Sequence, residues 1–304
     1  MIKITLSGIG GVGGYFGGFL AKHFEHSPEA GISFLARGEN EKAIRERGLY
    51  LETVRGNFTA RPKHISADPR LIGETDYLIC STKAYDLEES MRQLAPCIGK
   101  NTVILPLQNG VDSAERIRKI YPANETWEGC VYLVSRLVAP GHVKETGNID
   151  RIFFGSENGN AAKLAMLEKI FHEAGISATL SPDIRLTVWE KFIFISVVAT
   201  LTSFTGKVIG EVREQHQEQM LALLGELSAV ALANRIRFPA NIIPLTLEKI
   251  GRMQYESTSS MHSDFRKGGK TELESLTGYV VRLGGQLHVP TPVFLQMYES
   301  LKRK

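Results

Sequence analysis

Residues 2–13, Ile-Lys-Ile-Thr-Leu-Ser-Gly-Ile-Gly-Gly-Val-Gly, decide the fold of this 304-residue chain. A short apolar run, Ile2–Leu6, comes first, and glycines then follow in the pattern Gly-x-Gly-x-x-Gly before an apolar helix expected to begin near Gly13. A strand that turns through such glycines into a helix is typical of dinucleotide-binding sheets, because the helix amides and dipole attract the phosphates. A merely flexible loop is the alternative. We call this segment the glycine loop, and its predicted binding residues are Gly8, Ile9, Gly10, Gly11, Val12 and Gly13.

The residue that follows the second predicted strand, Ile32–Leu35, indicates which dinucleotide is bound. NAD sites usually place an acid here for the ribose hydroxyls, whereas this chain has Arg37, whose guanidinium suits a 2′-phosphate. Glu39 follows closely and can still reach a ribose, and a solvated surface arginine is the other alternative. We predict NADPH as the cofactor and Arg37 as one of its ligands.

Residues 1–181 alternate short β-branched runs with segments that can form helices, which predicts a parallel sheet with helices on its faces. The expected strands of this sheet are Ile2–Leu6, Ile32–Leu35, Tyr77–Cys80 and Thr102–Leu105. Leu49–Glu52 and Phe58–Ala60 flank Gly56 and predict a small hairpin inserted in the wound sheet. A final strand pair is predicted at Trp127–Val138 and His142–Phe154, which are separated by the turn dipeptide Pro140-Gly141.

Residues 182–304 differ, because strand-like runs are nearly absent and helical patterns prevail. Ser181 and Pro182 predict the N-cap and the first residue of the opening helix, so we place the domain boundary between them. The expected helices span roughly 182–203, 211–236, 240–256, 271–284 and 292–302. The predicted fold class is α/β, with an N-terminal Rossmann-type doubly wound sheet that binds NADP and a C-terminal all-helical domain for substrate binding and catalysis.

Composition and charge narrow the class of protein. Hydrophobic residues make up 43% and charged residues 23% of the chain, as in ordinary globular proteins, and the net charge of +3 gives no reason to expect nucleic acid. The three cysteines and eight histidines show no metal-ligand spacing, so no metal site is expected. The longest charge-free apolar run, 192–206, is too short to span a bilayer, and the chain opens on a strand rather than a signal peptide. We therefore expect a cytoplasmic protein without a membrane partner.

Lys191 stands in apolar sequence, since no charge follows it up to Gly206 and only Glu190 precedes it back to Arg185. A helix this apolar is expected to be buried, and a buried lysine either finds a partner or gives up its proton. This makes Lys191 the leading candidate for a general acid. The alternative is a lysine at a helix end whose stem packs while its amine reaches water.

Two predicted strand ends carry polar residues at the edge where wound sheets bind ligands. Ser81-Thr82-Lys83 follows one strand, and Gln108-Asn109-Gly110 comes shortly after the next. Lys83 can meet a cofactor phosphate or a substrate carboxylate, and Asn109 can contact the nicotinamide ribose or the substrate. Both residues can equally belong to turns.

Taken together, these motifs resemble the ketopantoate reductase family nearly from end to end. The matching segments are the glycine loop, Ser81-Thr82-Lys83-Ala84, Gln108-Asn109-Gly110, Pro140-Gly141-His142-Val143, Trp189-Glu190-Lys191, Ser259-Ser260-Met261, Asp264, Gly268, Thr271-Glu272, Gly278 and Val289-Pro290-Thr291-Pro292. The resemblance implies reduction of ketopantoate (2-dehydropantoate) by NADPH, giving pantoate for pantothenate biosynthesis. A small 2-oxo acid is then the expected partner, and a homodimer is a further expectation.

The resemblance also implies roles for individual residues. Lys191 resembles the proton donor to the substrate carbonyl, and Asn109 resembles a ligand of both substrate and cofactor. Lys83 resembles a cofactor contact, Ser260 a ligand of the substrate carboxylate, and Glu272 a catalytic glutamate that also contacts the cofactor. For Ser260 and Glu272, helix capping is the alternative, because Gly-Gly-Lys-Thr-Glu at 268–272 precedes an apolar run.

The chain departs from the family at particular positions. Ile195 and Ala199 follow Lys191 at helical spacing, where the family usually has asparagine, and Thr277 stands where asparagine commonly precedes Gly278. Ile195 is therefore expected to line the substrate pocket as an apolar wall that cannot bind a substrate hydroxyl. A reductase of a less polar 2-oxo acid is one alternative. Another is a non-catalytic NADPH-binding sensor, although retention of the catalytic set argues against it.

Overall fold

The computed structural model describes residues 1–304, apart from the side chain of Asn148. The chain divides into two compact units. The first comprises Met1–Gln108 and Asp112–Ile184, and the second comprises Asn109–Val111 and Arg185–Lys304. The expected boundary lies after residue 181, whereas the division lies after Ile184, and a short segment from the first half of the chain belongs to the second unit.

The first unit alternates strands and helices. Its strands are β1 Ile2–Ser7, β2 Ala30–Leu35, β3 Leu49–Glu52, β4 Phe58–Ala60, β5 His64–Ser66, β6 Tyr77–Cys80, β7 Val103–Pro106, β8 Glu128–Ala139, β9 His142–Gly155 and β10 Ser177–Leu180. Its helices are α1 Gly11–His23, α2 Gly38–Arg47, α3 Leu87–Gln93, α4 Ser113–Ile120 and α5 Ala161–Glu173. Short 3₁₀ turns lie at Pro69–Leu71, Ala84–Asp86 and Ala95–Cys97.

A parallel sheet in the order β5-β2-β1-β6-β7 forms the centre of this unit. Each strand predicted for the sheet is present, and β5 is an addition, because a run of 3 residues is too short to show a period. Ile4 and Leu6 of the central β1 are fully buried, and the carboxyl end of β1 opens into the glycine loop. With the helical second unit, this sheet confirms the predicted α/β fold class.

A second sheet in the first unit packs on α1. Strands β8 and β9 form the predicted antiparallel pair around Pro140-Gly141, and β10 and β3 pair with β9 in parallel. The hairpin of β3 and β4 is antiparallel as predicted, but its expected place in the wound sheet is wrong. Packing explains this, because Leu51 and Val143 face Gly18 and Gly14 of α1, where a Cβ would lie 2.4 Å and 2.6 Å from their carbons.

The rest of the chain consists of helices joined by loops, with no strand among its described residues. The helices are α6 Ile184–Thr205, α7 Ile209–Gln215, α8 Gln217–Ala233, α9 Ile242–Gly251, α10 Ser260–Arg266, α11 Tyr279–Gln286 and α12 Pro292–Leu301. A π-helical segment, Glu274–Gly278, runs directly into α11. Buried residues of α6, among them Phe192, Ile193 and Val197, belong to the core of the second unit.

The predicted helices differ from the observed ones mainly at their ends. The opening helix begins at Ile184, so Pro182 precedes it instead of occupying its first turn. The helix predicted at 211–236 is interrupted at His216, which ends α7 and precedes α8. Helix α10 was not predicted, because its 7 residues are too few to show a periodic apolar pattern.

Two properties of the described residues bear on membranes and metals. No single helix among them has the length and apolar composition to cross a membrane. Helices α6 and α7, bent by 87°, pass that test only as a pair and only by length and composition. The described side chains also contain no group of three or more His, Cys, Asp or Glu residues arranged to hold a metal ion.

Candidate functional site

The glycine loop has a backbone that other residues cannot adopt. Gly8 has a φ of +88°, and a Cβ there would lie 2.6 Å from the backbone nitrogen of Thr82. A Cβ on Gly13 would lie 2.2 Å from the carbonyl oxygen of Gly8, so α1 packs on the turn more closely than any side chain allows. The helix begins at Gly11 rather than near Gly13 as predicted.

The start of α1 fits the phosphates of a dinucleotide. Its N-cap is Gly10, which supplies no side chain to the first amides, and no acid lies in the first turn. A Cβ on Gly10 would meet nothing within 4 Å, so the approach to the helix is open. Ser81 Oγ, beside Gly13, is buried and has no hydrogen-bond partner among the described residues. Free amides, a positive helix end and an unpaired hydroxyl together match an anionic group.

Arg37 lies at the carboxyl edge of the parallel sheet, and its contact with a 2′-phosphate stays a prediction. It follows the carboxyl end of β2 and is the N-cap residue of α2. Strands β1 and β2 are parallel neighbours, and the amide of Gly8 donates to the carbonyl of Leu35 at 3.3 Å. The glycine loop, which follows β1, therefore lies next to the segment of Arg37, which follows β2. Arg37 is exposed and donates one hydrogen bond to Gln93. A guanidinium has further donors that can bind a phosphate.

Lys83 lies on the segment that contacts the glycine loop. It is half-buried, follows β6 and precedes the 3₁₀ turn Ala84–Asp86. The backbone of Ser81 and Thr82, just before it, is the part of this segment that lies against Gly8. Lys83 therefore lies at the carboxyl edge of the sheet, as predicted, and its cofactor contact stays a prediction.

The structure brings Lys191 and Asn109 together. Lys191 is only 6% exposed, and its Nζ donates to Asn109 Oδ1 at 2.8 Å. The alternative in which the amine reaches water does not describe this side chain. Asn109 comes shortly after β7 in the chain but belongs to the second unit, where the neighbouring Val111 packs on apolar residues. The position of Asn109 in the sequence is compatible with either a turn residue or a ligand contact. The hydrogen bond shows that its side chain contacts Lys191.

Ser196, Thr200 and Thr202 of α6 are already paired inside the second unit, whereas the buried hydroxyl of Ser203 has no partner among the described residues. Ser196 Oγ donates to the carbonyl of Leu276 at 2.8 Å, and the hydroxyls of Thr200 and Thr277 share a 2.8 Å hydrogen bond. Both threonines are fully buried. The Thr202 hydroxyl donates to the Val198 carbonyl at 2.7 Å.

The residues on the lysine's own face are apolar. Ile195 is half-buried and packs on the core of the second unit, and Ala199 is buried. At one and two turns beyond Lys191, this face of α6 offers no hydrogen-bonding side chain.

Ser260 and Glu272 lie in the second unit with Lys191. The hydroxyl of Ser259, not that of Ser260, caps α10 by accepting the His262 amide at 3.0 Å. Capping therefore does not explain Ser260, whose side chain is exposed at the first residue of the helix. Glu272 is 4% exposed and lies just before the π-helical segment, where its carbonyl accepts the amides of Ser275 and Leu276. The functional roles of both residues stay predictions.

Residues that sequence reasoning missed lie beside the predicted ones. Gln108 is buried, its Nε2 donates to Thr82 Oγ1 at 3.4 Å, and its Oε1 has no partner among the described residues. Ser81 has the unpaired hydroxyl beside the glycine loop. Both follow strands of the parallel sheet at its carboxyl edge, the same pattern from which Lys83 and Asn109 are predicted.

Sequence models of one family match both parts of the chain. The description "Ketopantoate reductase PanE/ApbA" applies to the match at residues 4–159, and "Ketopantoate reductase PanE/ApbA C terminal" to the match at residues 183–304.

Similar proteins cover the chain almost completely. The "Uncharacterized oxidoreductase YkpB" of Bacillus subtilis (strain 168) is 27% identical over 310 residues, which are 99% of this chain and 100% of that protein. The crystal structure of 2-dehydropantoate 2-reductase from Porphyromonas gingivalis W83 has a TM-score of 0.88 and 35% identity and covers 99% of both chains. A D-mandelate dehydrogenase with NADH and anilino(oxo)acetate has a TM-score of 0.88 at 22% identity, covering 99% and 98% of the chains, which shows a shared fold.

Proposed function

The chain belongs to the ketopantoate reductase family, whose members are oxidoreductases that act on a CH–OH group with NADP, and we propose that it reduces a small 2-oxo acid with NADPH. Ketopantoate, the substrate in the family's name, is the first candidate, and pantoate for pantothenate biosynthesis is then the product. The observation that carries the proposal is the buried hydrogen bond from Lys191 to Asn109. When bound, NADPH supplies the hydride.

Lys191 is the proposed general acid. Asn109 Oδ1 accepts one of its N–H groups at 2.8 Å, and this fixes the direction of the amine. Burial limits the access of competing water to Nζ. Lys191 then transfers a proton from Nζ to the substrate carbonyl oxygen as the carbonyl carbon is reduced.

The remaining roles complete the proposal. Ser260 has an exposed hydroxyl that can donate to a substrate carboxylate, and the buried Glu272 is the proposed group that assists proton movement. The glycine loop, Arg37 and Lys83 are the proposed cofactor ligands, with the amides at the start of α1 for the pyrophosphate and Arg37 for the 2′-phosphate.

A specific observation favours a second candidate, a 2-oxo acid without the ketopantoate hydroxyl. Ile195 and Ala199 present no hydrogen-bonding group, and the Thr200 hydroxyl is fully buried and already paired with Thr277. The Thr202 hydroxyl is also fully buried and paired. Neither threonine supplies what the apolar residues lack, so a substrate hydroxyl placed against this part of α6 would lose its hydrogen bonds to water.

Steady-state NADPH oxidation tests the proposal. Ketopantoate and trimethylpyruvate form a matched pair, because the second is the first without its hydroxyl. Turnover of either supports a reductase, and the ratio of their kcat/KM values decides between the two candidates. NADPH binding without turnover of any 2-oxo acid in a wider panel would support the sensor alternative and contradict the proposal. The homodimer and the cytoplasmic location stay predictions, and sedimentation of the NADPH-bound chain would test the first.

A further inference from the structure

The turn Pro140-Gly141 between β8 and β9 has no part in the proposed reaction, yet it makes several close contacts within the first unit. Gly141 has a φ of +72°, and a Cβ there would lie 3.1 Å from the Cβ of Ala43 in α2. The Gly141 carbonyl accepts the amide of Tyr50 at 2.8 Å, and its amide donates to Asn40 Oδ1 at 2.8 Å. The turn is therefore tied to β3 and to the first turn of α2.

The other end of the Asn40 side chain binds the glycine loop. Asn40 Nδ2 donates to the carbonyl oxygen of Ile9 at 2.8 Å. Ile9 lies between Gly8 and Gly10, and Asn40 is half-buried. The Asn40 side chain thus joins the glycine loop to the β8–β9 turn. Its Nδ2 donates to the loop, and its Oδ1 accepts from the turn.

The glycine loop needs such a restraint. Glycines on both sides of Ile9 leave its peptide groups free of the steric limits that a side chain imposes. A carbonyl that turned toward a bound phosphate would repel it, whereas the amides at the start of α1 attract it. The hydrogen bond from Asn40 holds the Ile9 carbonyl toward α2, and the Gly10 amide donates back to the Gly8 carbonyl at 2.9 Å.

We propose that Asn40 is a positioning residue of the cofactor site, which fixes the Ile9 carbonyl and so preorganises the glycine loop for the pyrophosphate. The proposal rests on the proposed binding of the cofactor at this loop. Because the pyrophosphate is common to both nicotinamide dinucleotides, Asn40 supports NADPH and NADH equally. Arg37, in contrast, distinguishes between them.

Asn124 offers a matched control in the same unit. It is half-buried, and its Nδ2 donates to the carbonyls of Gly99 at 2.8 Å and Thr102 at 3.1 Å. Thr102 precedes β7, so this asparagine lies at the amino edge of the parallel sheet, whereas the glycine loop follows the carboxyl edge. Asn124→Ala therefore removes comparable hydrogen bonds without touching the loop.

The test measures the Kd of NADPH and of NADH by fluorescence titration, with the melting temperature of each variant. Asn40→Ala is expected to raise both Kd values about tenfold, the order of one net hydrogen bond, and to leave their ratio unchanged. Asn124→Ala is expected to lower the melting temperature by about as much as Asn40→Ala does, but to leave both Kd values unchanged. An unchanged Kd in Asn40→Ala, or a loss confined to NADPH, would overturn the proposal. If the wild-type chain binds neither dinucleotide, the cofactor site itself is wrong.

Asn40→Asp keeps the test decisive if the alanine variant does not fold. Aspartate can still accept the Gly141 amide, but it cannot donate to Ile9. Its added charge also repels phosphate, and high salt screens that repulsion. A loss of affinity for both dinucleotides that persists in high salt supports the proposal, and a loss that disappears in high salt contradicts it.

Discussion

The amine of Lys191 donates a hydrogen bond to Oδ1 of Asn109, 82 residues away in the sequence and 2.8 Å away in space. This contact gives a buried lysine a polar partner that carries no charge. The amide oxygen orients the amine, as proton transfer to a substrate carbonyl oxygen requires. The pair is therefore suited to a general acid.

Replacing the lysine tests this role. Lys191→Ala is expected to lower kcat by roughly a hundredfold or more, the usual size of a general-acid contribution. NADPH affinity is expected to survive, because the glycine loop belongs to the first unit. The exposed Lys249 serves as the control, and Lys249→Ala is expected to keep wild-type kcat. Turnover of Lys191→Ala like that of the wild type would leave the lysine a structural role only.

Cofactor preference is expected to depend on Arg37. Arg37→Ala is expected to weaken NADPH binding while leaving NADH binding nearly unchanged, because only the 2′-phosphate pairs with the guanidinium. Titration of both dinucleotides measures the change, and Arg47→Ala, at an exposed arginine near the end of α2, is the control. Equal affinity of the wild-type chain for the two dinucleotides would refute this prediction.

Ile195 is expected to set the preference between hydroxylated and non-hydroxylated substrates. Ile195→Asn adds an amide one turn beyond Lys191, where it can bind a substrate hydroxyl. An unpaired group of this kind costs about 1–3 kcal/mol, so the kcat/KM ratio of ketopantoate to trimethylpyruvate is expected to rise about tenfold. Efficient wild-type turnover of ketopantoate, with no gain in the variant, would show that another residue binds the hydroxyl.

The hydrogen bond between Thr200 and Thr277 is expected to contribute to stability as a pair. Thr277→Val leaves the fully buried Thr200 hydroxyl without its cross-helix partner and is expected to cost about 1–3 kcal/mol in the free energy of unfolding. Thr200→Val with Thr277→Val is expected to cost less than the sum of the single changes. Urea unfolding measures all three. Thr246 is the control, because its hydroxyl bonds within α9. The losses in unfolding free energy from Thr246→Val and Thr277→Val should add in the double variant.

Glu125 is expected to make the first unit acid-sensitive. Burial raises the pKa of its carboxyl, but hydrogen bonds from the Asn160 amide, the Lys163 amine and the Trp127 indole outweigh burial and hold the pKa below its ordinary value of 4.5. Its stabilising contribution is therefore present at neutral pH and is lost as the pH falls below 4.5 through the lowered pKa. Glu125→Gln should be less stable than the wild type at pH 7, with a smaller loss on acidification. Glu157→Gln, at an exposed glutamate, should follow the wild-type profile in thermal unfolding.

Local patterns in the sequence determined the fold class and the backbone of the glycine loop. The glycines at 8, 10 and 13 act through their own backbone and nearest packing, since positive φ at Gly8 and contact at Gly13 require the absence of a Cβ. The apolar run after Lys191 likewise determined that α6 is buried. Such features depend on residues close in the chain, so composition and spacing are sufficient to predict them.

Only the tertiary structure decided which distant residues meet. Periodicity shows that a helix or strand has an apolar face, but it does not name the partner of that face, and this is why the β3–β4 hairpin was assigned to the wrong sheet. The same limit applies to the hydrogen bonds of Lys191 with Asn109, Thr200 with Thr277, and Asn40 with Ile9 and Gly141. Each joins elements that are far apart in the chain, and their meeting depends on how whole helices and sheets pack, which no local pattern encodes.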